Sequence, residues 1–90
     1  MDVKEAVRTA KEYLVNLYDG EDIADIGLEE VVFNDELHNW NITIGFTRPW
    51  DTRNNVVTAL RLRRSYKVVS IDDTTGRVES LTDRILNDSR

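Results

Sequence analysis

Ninety residues, 40% apolar and 32% charged, describe one globular domain and exclude both a second core and a disordered chain. The absence of cysteine excludes disulfides, thiol chemistry and thiolate metal sites, and no apolar run approaches the roughly 18 residues of a membrane span. The net charge of −5 is uneven: residues 1–39 hold eleven acids against three bases (−8), residues 40–90 six acids against nine bases (+3). A pI near 4.7 disfavours general nucleic-acid binding while leaving room for a local basic stripe. The N-terminal run MDVKEAVRTAKEYL is charged throughout and lacks a signal-peptide core, so cytoplasmic residence is expected.

In chain order, residues 2–18 read as an amphipathic helix. Val3, Ala6, Val7, Ala10, Tyr13, Leu14 and Leu17 recur at spacings of three and four, which gathers them on one side of a 3.6-residue turn. Asp2 and Glu5 have the spacing of a capping box, and Gly20 stands where a helix C-terminus favours positive φ.

EDIADIGLEE then reads as a solvated connector, followed by a short strand at about 28–33 and a turn at Asn34-Asp35-Glu36. Over 38–47 the alternation is clear. Trp40, Ile42, Ile44 and Phe46 point one way and Asn41, Thr43, Gly45 and Thr47 the other, as in a half-buried antiparallel strand.

A loop with the chain's single proline follows, FTRPWDTRNN, and then a third strand at about 58–72. Part of 53–63 also fits a helix through Val56, Val57 and Leu60, but the β-prone run over 66–71 favours a strand. Asp73-Thr74-Thr75-Gly76 suits a type I turn with glycine in the left-handed position, closing a hairpin onto a last strand at about 77–82. Residues 83–90 form a polar tail. The order predicts an α+β domain: one N-terminal helix packed on an antiparallel sheet of three to four strands, spanning 1–90.

This layout resembles the PepSY-type members of the cystatin-like folds. The resemblance covers the element order over about residues 3–82 and is carried by the strand NWNITIGF and the hairpin YKVVSIDDTTGRVESL. Such domains are usually secreted or membrane-attached and are thought to modulate peptidases; what the resemblance implies for this chain is the fold. Cystatins also carry a Pro-Trp hairpin, which Pro49-Trp50 echoes, and a Q-x-V-x-G hairpin, which this chain lacks.

Catalytic chemistry finds little support. His38 is the single histidine and could act as a base beside Asp35 or Glu36, yet no nucleophile accompanies it. The acid pairs Glu21-Asp22, Glu29-Glu30, Asp35-Glu36 and Asp72-Asp73 show no EF-hand spacing, and the four glycines are scattered singly, without a phosphate loop. The expectation is a non-enzyme without cofactor or metal.

Recognition is better supported. Pro49 holds Arg48 extended, so Trp50 stands between Arg48 and Arg53 in a stiff loop, the residue types that dominate binding hot spots. The alternative is that Trp50 folds back as a lid on the core. In RLRRSYK (61–67), Arg61, Arg63 and Lys67 share one strand face, with Arg64 and Tyr66 on the other. If Leu60, Leu62, Tyr66 and Val68 face the helix, then Val69 and Ile71 face outward, leaving an apolar strip for a second copy or another protein unless a bulge near Ser65 resets the phase.

The expected contact surface is therefore Arg48, Pro49, Trp50 and Arg53 with Arg61, Arg63, Lys67, Val69 and Ile71. The expected function is protein–protein interaction, as accessory subunit, adaptor or inhibitor- or immunity-like protein, with no membrane role. A second possibility is that the acidic N-terminal half masks a basic site. The runner-up is a nucleic-acid-binding module using the basic strand 61–67.

Overall fold

The computed structural model describes residues 1–48 and 64–84. In order they form α1 (Val3–Leu17), β1 (Ala24–Asn34), β2 (Asn39–Thr47), β3 (Ser65–Asp72) and β4 (Val78–Asp83). The four strands make one antiparallel sheet in chain order, β1-β2-β3-β4, and α1 lies on one of its faces. This is the expected α+β architecture, and it matches the cystatin-like layout at the level of fold.

The helix starts where its cap dictates. Asp2 accepts the N–H of Glu5 at 2.8 Å, and Glu5 Oε1 accepts the N–H of Asp2 at 3.0 Å, so two otherwise orphaned donors are satisfied. Tyr18 is the C-cap, and Gly20 adopts φ +89° just beyond it.

Only Ala6, Ala10 and Leu14 of the helix are fully buried; Val3, Tyr13 and Leu17, expected on the same stripe, remain exposed. Two alanines at a spacing of four let the backbone approach the sheet closely along one narrow line. The residues on either side of that line are held above the sheet's flanks.

Ile42, Ile44 and Phe46 of β2 and Val69 and Ile71 of β3 complete the core, with Trp40 packed at its margin. Val69 and Ile71 therefore correct the expected contact surface: both are fully buried under α1. Register decides this. Val69 pairs with Ile42 and Ile71 with Trp40, and directly paired residues share a face of the sheet. Lys67, in phase with them, is also on the helix side, where its ammonium hydrogen-bonds Asp83. Tyr66 and Val68 point outward, and the outer face is not the apolar strip that the reversed phase implied.

β1 begins earlier than expected because its alternation is broken twice. Asp25 at φ +55° lies inside a register shift between Ala24 and Gly27, and a second shift between Leu28 and Glu30 leaves Glu29 without a partner. The second bulge turns both Glu29 and Glu30 outward: the Glu29 carboxylate lies over Gly45, and Glu30 pairs with Thr43. In the β3–β4 turn, Gly76 takes φ +74°, the left-handed conformation expected of it, and Thr75 N–H donates to Asp72 Oδ2 at 2.7 Å.

Candidate functional site

Of the described expected residues, Arg48 and Lys67 both lie beside Tyr18, while Val69 and Ile71 are buried in the core. Arg48 is half-buried at the C-terminal end of α1, its guanidinium 5.0 Å over the Tyr18 ring and 3.1 Å from Glu21 Oε1, and Tyr18 in turn packs on Phe46 at 5.3 Å. It closes that end of the core. Pro49, Trp50, Arg53, Arg61 and Arg63 lie outside the described residues, as does the strand-or-helix choice over 53–63. His38 is exposed at the β1–β2 turn with φ +52°, and its carbonyl accepts the N–H of Asp73 at 3.0 Å.

The outer sheet face is polar and internally satisfied. Arg64 reaches Glu29 at 3.5 Å, while Arg84 reaches Glu30 at 2.5 Å and donates to Thr43 Oγ1 at 3.4 Å. Glu29, Glu30, Thr43 and Arg84 line a shallow cleft of about 210 Å³ beside Tyr66. Farther along, Ser70 donates to Asn41 at 2.5 Å, and Asn41 and Asn39 continue the row to Glu79. Of the basic run 61–67, Arg64 and Lys67 are described, and carboxylates on opposite faces of the sheet engage them.

The opposite flank is different. Along α1 lies an open groove of about 470 Å³ that meets β1 at Leu28, with Val3, Val7 and Leu28 as its apolar lining and Lys4, Arg8, Lys11 and Glu12 along its wall. It continues along the helix toward Val15. Val3 and Leu28 are 45% and 44% exposed; farther along the helix side of β1 Phe33 is 36% exposed, and Leu37 at the adjoining turn 65%, while Val32, 47% exposed, pairs with Asn41 on the outer face.

Lys4, Arg8 and Lys11 make no ion pair among the described residues, whereas Arg48, Arg64, Lys67 and Arg84 all do. These three cations are also all the bases of residues 1–39. The helix geometry that buries Ala6, Ala10 and Leu14 carries positions 4, 8 and 11 around to the β1 side.

In the sequence this flank is hidden, because the three bases sit within an acidic half and enter only its net charge. The available signal was their spacing of four and three, which aligns them on one helix face next to Val3 and Val7.

Among the described residues no group of three or more His, Cys, Asp or Glu side chains is arranged to hold a metal ion, and no helix is long and apolar enough to cross a membrane. No protein-family model matches the chain, and searches of curated proteins and of solved structures return no significant match. The likeness to PepSY-type and cystatin-like domains is thus one of architecture.

Proposed function

We propose that the protein is a small, non-enzymatic interaction domain that acts by binding or occluding another protein, as an adaptor, accessory subunit or inhibitor-like protein. The observation that carries this reading is the α1–β1 flank, where exposed apolar side chains lie beside cations that have no carboxylate partner among the described residues. Isolated exposed leucines or valines need no explanation, but a contiguous apolar groove rimmed by charge is the usual form of a protein contact. A cytoplasmic setting is part of the proposal and suits a chain without cysteine.

This flank is proposed beside the region expected from sequence, whose Pro49, Trp50, Arg53, Arg61 and Arg63 lie outside the described residues. Val69 and Ile71 belong to the core, and Lys67 and Arg48 are engaged within the fold. The same engagement weakens the case for a nucleic-acid stripe, since its described cations face carboxylates on opposite sides of the sheet.

The test is affinity capture from extract with three baits: wild type, Leu28→Asp, and Trp50→Ala, each first checked for folding. A protein retained by wild type and by Trp50→Ala but lost with Leu28→Asp supports the groove as the contact. Loss with Trp50→Ala alone moves the contact to the loop. Retention of nuclease-sensitive nucleic acid, declining steeply with salt, would overturn the reading.

A further inference from the structure

We infer that the α1–β1 flank accepts an extended peptide segment carrying alternating apolar and acidic side chains, added as a fifth strand to the edge of β1. This rests on the interaction-domain reading and names the chemistry of its partner.

The first argument is the edge. Among the described residues β1 pairs on one side only, with β2, so a row of its backbone N–H and C=O groups is available to another strand. The bulge at Glu29 interrupts regular pairing and leaves 30–34 as the uninterrupted run, enough for a short added strand.

The second argument is what such a strand would meet. Its alternate side chains would rise beside the helix, against Leu28, Val3 and Val7. Beyond these stand Lys4, Arg8 and Lys11, which span about 10 Å of the helix at 1.5 Å per residue. Same-face positions of a strand recur about every 6.6 Å, so the three cations match two or three successive positions on one face of the added segment. On the other face the segment would lie beside Glu29 and Glu30, which Arg64 and Arg84 already neutralise. Neutral polar residues suit that side.

The third argument is charge complementarity. Arg48, Arg64, Lys67 and Arg84 have carboxylate partners, while the three cations gathered on this flank, like Arg77 before β4, have none among the described residues, and Glu12 is the acid that shares the groove with them. A β1-to-β1 pairing with a second copy supplies the wrong groups. On its β1, the residues facing the helix side are Ile26, Leu28, Val31 and Phe33, with no carboxylate to meet the lysines, while its acids Glu29 and Glu30 point outward.

The test uses two synthetic peptides of about seven residues, one alternating threonine with valine and glutamate, the other with lysine in place of glutamate. The protein's net charge of −5 favours the lysine peptide, so a preference for the glutamate peptide isolates the local site from the overall field. The expected result is that the glutamate peptide binds, shifts amide resonances of 30–34 and of the α1 flank, and weakens about tenfold with Lys4→Glu/Lys11→Glu. Both substitutions are at exposed or half-buried surface positions and leave the core intact. N-methylation of alternate peptide amides, which deletes strand hydrogen bonds, is expected to abolish binding.

Preference for the lysine peptide, or undiminished binding after N-methylation, would overturn the inference. So would a dimer that protects the β1 edge, which makes a second copy the occupant. If neither peptide binds while capture from extract still depends on Leu28, the partner chemistry falls and the interaction-domain reading stands. If capture also fails, both fall.

Discussion

The indole N–H of Trp40 donates to Oδ1 of Asp73 across 2.8 Å, joining the first residues of β2 to the β3–β4 turn. Trp40 also packs on Phe33 at 4.9 Å between ring centroids, and the N-terminal ammonium stands 3.8 Å from the same Asp73 oxygen. One carboxylate thereby holds together the hairpin turn, the central strand and the start of α1. Asp73→Ala leaves a half-buried indole N–H without its charged acceptor, and a loss of about 1–2 kcal/mol is expected. Urea unfolding followed by tryptophan emission in a Trp50→Phe background measures it, because Trp40 is then the single indole. A wild-type midpoint with unchanged emission would show that the bond contributes nothing to stability.

Ile71 and Val68 form a pair of opposite outcomes. Ile71 is fully buried against the helix side of the sheet, so Ile71→Ala is expected to cost about 2–5 kcal/mol in lost transfer energy and residual cavity. Val68 faces outward and is partly exposed, so Val68→Thr is expected to stay within about 0.5 kcal/mol. Chemical denaturation of the two variants decides the phase of β3; comparable losses would contradict the pairing of Val69 with Ile42 and of Ile71 with Trp40.

That phase was the least legible part of the fold. The run over 66–71 is β-prone on both faces, and an alternating strand carries no mark of which face is inward. Only pairing with β2 supplies it, through Val69 opposite Ile42 and Ile71 opposite Trp40. Elements whose signals are local were legible: Asp2 and Glu5 at the helix start, the Trp40–Phe46 alternation, and Gly76 in the turn. The candidate site depends on where helix and edge strand meet, a long-range relation that no window of sequence contains. Its one local trace, the spacing of Lys4, Arg8 and Lys11, looked like any solvated helix face.

Gly76 tests the turn. At φ +74° any side chain is strained, and a Cβ there would also meet Met1 Cε at 3.3 Å. Gly76→Ala is expected to lower stability by about 1–2 kcal/mol, and Gly76→Asn by less, since asparagine tolerates the left-handed region. At Gly45 the nearest atoms to an added Cβ are the tips of the Glu29 and Arg64 side chains, at 2.8 and 2.9 Å, which can move aside. Thermal unfolding should therefore rank Gly76→Ala as the more damaging of the two alanine variants. The reverse order would mean that the Tyr66 ring, 3.0 Å from that Cβ, cannot give way.

The Lys67–Asp83 pair gives stability a two-ended pH dependence. The hydrogen bond from Lys67 holds the Asp83 carboxyl below its ordinary 3.8. The same bond from Asp83 is the largest influence raising Lys67 above 10.5; burial opposes it and Tyr18 assists. A depressed carboxyl contributes stability that is present above its unfolded value and lost as pH falls through the lower folded value. A raised lysine contributes stability that is present below 10.5 and lost as pH rises through the higher folded value. The difference in urea midpoint between wild type and Asp83→Asn should therefore be constant through neutral pH. It should shrink as pH falls from about 3.8 toward the lower folded value, where the wild-type carboxyl takes up its proton, and as pH rises from about 10.5 toward the higher folded value, where the ammonium is lost. Asp72, lowered chiefly by the backbone N–H of Thr75, keeps its own acid sensitivity in both proteins and cancels from the difference. A gap that stays constant across the whole range would show that the pair does not act as an ion pair in solution.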